Sequence, residues 1–434
     1  MKIRKPVLWV LLLSVGTGLP LFSGPEEPGE IISVPGTADA RRALRGLDLD
    51  LLMEQDGRIF IVAGPDDLLR LSARRVPFVV ETGRFAPAQP SEIRLAGGIN
   101  GAYHSYKELE ADLKSLETGH PSIVKLHTIG ASLEGRNIYA IKISDNVDRD
   151  EEEAEVLFLG CHHAREWISV EVPFLLARRL AEGYEGDPAI RELVDRSEIW
   201  IVPLLNPDGL EYSINVYRYW RKNRRANTDG TFGVDLNRNY GYMWGRDDQG
   251  SSALPDAADY RGVSAFSEPE TRAVRDLFFG GNFLAAISYH SFSQSILYPW
   301  GFADIPTGKD DVLRGLGLEM AGLIESVNGR SYACGPAASS LYVTNGDQTD
   351  WTFGVSGIPS YTIELPPVDI QRGGFFNAED EIESIFRENL PAMFRLVEFA
   401  IRDFGGLPAI HHERDIVRTL LTNRGQKDKY AVRR

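Results

Sequence analysis

Apolar residues in this chain recur in short bursts separated by longer helical spacings, and the two patterns alternate along its length. Ile31–Val34, Leu51–Met53, Arg58–Val62 and Val76–Val80 are dense in branched and aromatic residues and predict strands. Between them lie a helical stretch around Ala40–Leu47 and another after Pro65-Asp66-Asp67, where a proline and acidic first-turn residues mark a helix start. Asp56-Gly57 sits between two apolar runs and predicts a tight hairpin, because a primed turn needs positive φ. The order βαββαβ is that of a small ferredoxin-like unit.

The alternation continues on a larger scale from Tyr103. Ser105-x-x-Glu108 is a capping box ahead of Leu109, Leu113 and Leu116, so a helix starts there. Val124–Ile129 and Ile138–Ile143 predict strands joined by a turn at Glu134-Gly135-Arg136, and Val156–Leu159 predicts a third. A helix over Trp167–Leu180 follows, and then Ile199–Leu205, a wholly apolar strand expected to be buried on both faces. Ser267-x-x-Glu270 with Pro269 predicts another capped helix, Ala285–Tyr289 and Tyr361–Leu365 predict two more strands, and a helix from Asn377 to about Phe404 carries a kink at Pro391. There is no internal repeat, and the regular alternation predicts the α/β class.

Composition adds limits. At 434 residues the chain has room for one large domain and a small one, and its formal net charge of −15 argues against a nucleic-acid partner. With 2 cysteines it has no disulfide framework, and Cys161 is expected to be a buried thiol. Lys2, Arg4 and Lys5 precede the apolar run Val7–Leu13, the pattern of a signal peptide over residues 1–24, so the protein is expected to be secreted or periplasmic. Retention of that segment as a membrane anchor is the alternative; after cleavage no stable membrane association is expected. Residues 25–82 then form the small domain and residues 83–101 a Pro-, Ala- and Gly-rich linker in which Arg84 and Arg94 offer sites to a protease. Residues 102–405 form the large domain, and 406–434 a charged tail in which His411-His412 reads as exposed.

Candidate chemistry centres on Gly160-Cys161-His162-His163-Ala164-Arg165-Glu166-Trp167, at a strand-to-helix turn. His163 and Glu166, three positions apart, can face one cation, and mixed nitrogen and oxygen ligation with room for a water suits catalytic zinc. His290, at the end of the Ala285–Tyr289 strand, offers a third ligand. Glu364 puts a carboxylate inside an apolar strand, where an unpaired charge is costly. Trp220–Arg224 and Val234–Asn239 can aim guanidinium groups at a carboxylate or an oxyanion.

On these motifs, in this order, together with Tyr289-His290-Ser291, Tyr342 ahead of Asp350-Trp351 and Thr362–Leu365, the chain resembles the zinc carboxypeptidases of the pancreatic A and B type. Secreted bacterial relatives such as carboxypeptidase T share the pattern. The resemblance covers roughly Tyr103 to Phe404 and implies a mixed central sheet with helices on both faces. It also implies one Zn²⁺ held by His163, Glu166 and His290, with Glu364 as general base and Arg221 stabilising the oxyanion. Asn237, Arg238 and Tyr342 would hold the terminal carboxylate of a peptide or protein substrate, and Arg165 would assist in the subsites. His162 matches nothing functional and is expected to be a structural neighbour. The small N-terminal domain resembles an activation segment, which makes the chain a zymogen with an activating protease as partner. In that family the stretch Val343–Thr349 lines the pocket for the final side chain; Asp347 in its wall would favour Lys or Arg, and Thr349 suits a broad pocket that also takes apolar residues. Two other functions compete: an amidohydrolase acting on cell-wall peptides, and a non-catalytic binding module. The pair Arg238 and Tyr342, suited to an ordinary C-terminus, weighs against the first, and the complete set of ligands and base weighs against the second.

Overall fold

The computed structural model describes residues 30–81, apart from 45, 46, 48 and 56, and residues 99–404. The expected signal at 1–24, nearly all of the linker, Asp56 and the tail at 406–434 lie outside the described residues.

Two sheets organise the chain. In the smaller, β1 (Glu30–Pro35), α1 (Ala38–Leu44), β2 (Asp50–Gln55), β3 (Arg58–Ala63), α2 (Pro65–Ala73) and β4 (Val79–Val80) follow one another, with strand order β2-β3-β1-β4 and all pairings antiparallel. Gln55 faces Arg58 across a two-residue turn in which Gly57 takes φ 70°. The strand expected over Val76–Val80 shrinks to two residues, because Pro77 cannot donate to a ladder and Val76 N instead bonds Leu71 O. Alternate residues of this sheet face opposite ways. Ile32, Val34, Ile59 and Ile61 pack with Leu71 and Val76 on the helix side, whereas Ile31 and Phe60 pack with Phe292, Ile370 and Phe375 of the larger unit.

The larger unit runs α3 (Tyr106–Gly119), β5 (Val124–Ala131), β6 (Asn137–Ile143), β7 (Ala154–Leu159), α4 (Ile168–Gly183), α5 (Pro188–Val194), β8 (Ser197–Val202), α6 (Pro207–Asn215), α7 (Pro269–Gly280), β9 (Phe283–Ser291), β10 (Ser295–Tyr298), α8 (Asp310–Asn328), β11 (Ala333–Pro336), α9 (Ala337–Ser340), α10 (Gln348–Ser356), β12 (Ser360–Leu365) and α11 (Ile382–Phe404). Its eight strands take the order β11-β10-β12-β9-β7-β8-β6-β5. The central β12, β9, β7 and β8 are mutually parallel, and antiparallel pairs flank them, so the sheet is mixed.

The strand period divides the core in two. Val156 and Phe158 join the helices α3, α4, α8 and α11 on one face, while Leu157 and Leu159 join Val274 and Phe278 of α7 and Trp351 of α10 on the other. Helices therefore cover both faces of the sheet. Ser105 caps α3 as expected, its side chain accepting from Glu108 N while the Glu108 carboxylate accepts from Ser105 N. The Ser267 cap does not form: α7 begins one residue later with Glu268 at its N-cap, and Ser267 Oγ donates to the Glu268 carboxylate. The apolar strand ends at Val202, because Pro203 cannot donate to a ladder. The last helix starts at Ile382 after a 3-10 turn over Glu379–Glu381, and Pro391 sits inside it without ending it. Cys161 and Cys334 are both free. Among the described residues no helix is long and apolar enough to cross a membrane.

Candidate metal centre and substrate cleft

The chemistry-bearing residues collect at the carboxyl ends of the parallel strands, where open α/β sheets leave a crevice. After β7 the chain must turn hard against its neighbours. A Cβ on Gly160 would meet Ser169 O at 2.2 Å and Pro203 O at 2.7 Å, so glycine is required there, and Cys161 continues at φ 55°. Leu205 N and Asn206 N donate to Gly160 O and Cys161 O, and Asn206 Nδ2 donates to His162 O, pinning the loop that presents His163.

His163 Nδ1 lies 2.8 Å from Glu166 Oε1, and His290 Nδ1 lies 3.1 Å from both Glu166 Oε2 and His163 Nδ1. All three side chains are buried, and one ligand atom from each falls within 4.8 Å of the others. Two imidazole nitrogens and a carboxylate converging in this way suit a zinc ion and leave a side for water or substrate. Burial opposes the charge on Glu166, but His163 and His290 outweigh it and hold the carboxyl below its usual range. Burial likewise keeps the His290 imidazole neutral, despite the pull of Glu166. Two other carboxylate clusters, Asp145, Glu151 and Glu153, and Asp150, Glu155 and Glu198, offer oxygen only, and Lys142 Nζ already meets Glu198 at 2.8 Å.

Glu364 stands beside His290 in the parallel register of β12 and β9. Burial raises its carboxyl well above the usual range, the Glu166 charge adds to that, and Arg221 and Arg238 act against it. Arg221 donates through Nε and Nη2 to Asp235 Oδ2 at 3.0 and 2.8 Å, and its Nη1 is 4.0 Å from Glu166 Oε1. Burial would weaken that cation, but Asp235 holds it firmly protonated. The other oxygen of Asp235 lies 3.2 Å from His163 Nε2, so one buried carboxylate fixes both an imidazole and a guanidinium. Sequence reasoning gave Asp235 no role, although the signal was present: an acid flanked by Val234 and Leu236, the same pattern that singled out Glu364.

Asn237, Arg238 and Tyr342 come together on one side of this centre. Gln348 N, at the start of α10, donates to Asn237 Oδ1 at 2.9 Å, which turns Nδ2 inward. Arg238 Nη1 donates to Asn237 O at 2.8 Å and its guanidinium lies 5.9 Å from the Tyr342 ring centroid. With His163, His290 and Glu364 they line an open cleft that also takes in Leu297, Leu341, Thr344, Asp347, Thr349, Asp350 and Thr362. Asp347 is 6 % exposed and does not point to solvent. It caps α10, accepting from Asp350 N at 2.8 Å and from Thr344 Oγ1 at 2.6 Å, and burial raises its carboxyl. Thr349 Oγ1 pairs with Thr362 Oγ1 at 2.8 Å. Arg165 is brought near the cleft but not into it. Its guanidinium stacks 4.2 Å from the Phe375 ring centroid and is gripped by both oxygens of Asp50, from β2 of the smaller sheet.

The family described as zinc carboxypeptidase matches residues 109–392. A zinc carboxypeptidase of Saccharothrix mutabilis subsp. capreolus is 32 % identical over 382 residues, covering 83 % of this chain and 86 % of that protein. Carboxypeptidase B of Astacus astacus is 33 % identical over 288 residues, 65 % of this chain and 91 % of its own. Among solved structures, the carboxypeptidase A from Helicoverpa armigera superposes with a TM-score of 0.73 at 25 % identity, covering 87 % of this chain and 98 % of that one.

Proposed function

Because the chain belongs to the zinc carboxypeptidase family, hydrolases that act on peptides with one catalytic zinc, we propose that His163, Glu166 and His290 hold that zinc and that Glu364 is the general base. The observation that carries this reading is the convergence of the three ligand atoms beside a strand-end glutamate and a three-residue carboxylate clamp. When bound, zinc lowers the pKa of a water toward about 7 and stabilises negative charge on oxygen. Glu364 would take a proton from the attacking water and return it to the leaving amine, a task suited to a carboxyl raised by burial. Arg221, fixed by Asp235, stabilises the charge that develops on the scissile carbonyl oxygen. Asn237, Arg238 and Tyr342 grip the substrate's terminal carboxylate, which limits the enzyme to the last peptide bond. Metal analysis and release of the C-terminal residue from paired peptides, one with a free terminus and one amidated, test this reading. One zinc per chain, loss of activity to a chelator and resistance of the amidated peptide are expected. Equal cleavage of both peptides, or no zinc, would overturn it.

The pocket beyond the clamp accepts both apolar and basic side chains. Leu297 and Leu341 supply apolar lining, Thr349 and Thr362 neutral polar lining, and Asp347 and Asp350 carboxyl groups. The smaller sheet serves as an activation segment, supported by the Asp50 grip on Arg165 and by the packing of Ile31 and Phe60 on Phe292, Ile370 and Phe375. The precursor is exported by residues 1–24, and a protease cuts the linker at residues 83–101. Comparing the intact chain with a form beginning near Gly97–Tyr103 on one small peptide tests the activation step; equal rates would leave the unit as a permanent folding aid.

A further inference from the structure

The two imidazoles of the proposed metal centre are held from behind by groups of different kinds. His163 turns Nε2 to a carboxylate, Asp235, whereas His290 turns Nε2 to an alcohol, Ser288 Oγ, at 3.0 Å. Ser288 lies two residues upstream on the same face of β9, and its Oγ is also 3.2 Å from His162 Nδ1. His162 Nε2 is in turn 2.8 Å from Tyr240 Oη. Ser288, His162 and Tyr240 are all fully buried, and the His162 ring stacks on that of His290 with centroids 5.3 Å apart and planes 20° apart.

Counting protons gives this string a direction. With a cation held between Glu166, His163 and His290, Nδ1 of His290 offers its lone pair to that cation, and the ring proton then sits on Nε2. That N–H donates to Ser288 Oγ. Asn237 Nδ2 also approaches Nε2, but at 3.5 Å, and the Gln348 bond to Oδ1 fixes the orientation of that amide. The Ser288 hydroxyl has one proton of its own, which goes to His162 Nδ1; the remaining His162 proton, on Nε2, goes to Tyr240 Oη. Each nitrogen thereby meets a complementary partner.

We propose that Ser288, His162 and Tyr240 are positioning residues: a neutral hydrogen-bonded string that fixes the tautomer and ring plane of His290 and so sets how tightly the site holds its metal. The proposal rests on the reading of His290 as a zinc ligand. It gives His162 a task, although its ring faces away from the convergence of ligand atoms. Outer partners of this sort are worth roughly 10–100-fold in metal affinity. Because the string carries no charge, it orients His290 without the added basicity that Asp235 lends to His163.

The test is chelator competition for zinc on the full chain, with the melting temperature of each apoprotein measured alongside. Ser288→Ala is expected to lower zinc affinity by about tenfold or more, and His162→Phe, which keeps the stacked ring but loses both nitrogens, by several-fold. Neither loss should follow the apoprotein melting temperature. Variants that melt lower yet hold zinc like the wild type would overturn the proposal and leave the zinc reading intact; a wild type that binds no zinc would remove that reading itself. Should Ser288→Ala not fold, wild-type affinity in His162→Phe is enough to overturn it.

Discussion

Asp50 and Arg165 meet across the seam between the two sheets, the carboxylate gripping both terminal nitrogens of a guanidinium whose side chain is 2 % exposed. Hydrogen bonds to charged groups contribute about 1.5–3 kcal/mol each, and a buried guanidinium left without its partner pays a further penalty. Asp50→Asn should therefore loosen the smaller unit and raise the activity of the intact chain about tenfold, while a form starting near Gly97–Tyr103 is unaffected. Steady-state rates of both forms on one short peptide decide it; an intact variant no faster than wild type removes Asp50 from the latch.

If Glu364 is the proposed general base and not a ligand, Glu364→Gln should keep its zinc and lose about 10²–10⁴-fold in kcat. Metal content and turnover on the same sample check the two halves separately.

Arg238→Met removes the charge from the clamp while keeping the length of the side chain. KM for a peptide with a free C-terminus should rise by about 10–100-fold, the worth of one or two charge-assisted hydrogen bonds. The inhibition constant of an amidated peptide, which is not cleaved and never engages the clamp, should hardly move.

Asp347 has two tasks in this fold, and the substitution that tests specificity must separate them. As N-cap of α10 it contributes about 0.5–2 kcal/mol to stability. As part of the pocket wall it should favour basic ends, so Asp347→Ala should lower the ratio of kcat/KM for Arg-ending over Leu-ending peptides several-fold. The ratio is insensitive to the amount of folded enzyme, and an unchanged ratio would leave the residue a cap alone.

His104 gives the fold a pH dependence away from the site. Burial works against its charge, but hydrogen bonds from its ring to Glu171 at 2.7 Å and Asp112 at 3.2 Å prevail and raise it to about 9. A folded-state pKa above the unfolded value of about 6.5 means that the stabilisation is complete below pH 6.5 and fades as pH rises through about 9. The effect is of the order of 3 kcal/mol. Thermal melts at pH 6 and pH 10 should differ in the wild type, and the difference should shrink in His104→Gln.

The strands that build the site were legible because parallel strands buried on both faces leave predominantly apolar runs, continuous in Val156–Leu159 and broken only by Thr362 and Glu364 in Tyr361–Leu365. The residues proposed for metal and base stood out against such strands, His163 and His290 close to a strand end and Glu364 inside one. What could not be read was anything set by a partner distant in sequence. The short strands β10 and, at the sheet edge, β11 carry no periodicity of their own and exist because they pair with β12 and with each other. Asp347 was read as pocket wall, and the sequence did not show that it also caps α10. That Asp50, 115 residues earlier, takes the Arg165 guanidinium in the intact chain is likewise invisible in the sequence. Ser267 was mistaken for a cap because its hydroxyl found the Glu268 carboxylate instead.

The convergence of Glu166 with His290 has a consequence for the fold as a whole, since 124 residues separate them in the chain. A cation shared by the two closes a loop of that length. Closing a loop near 100 residues removes conformational freedom from the unfolded chain worth about 4–5 kcal/mol in the chain-entropy account of cross-links. Zinc held by the proposed ligands would then also be a staple, tying the end of β7 to β9 only when the parallel pairing between them is in register.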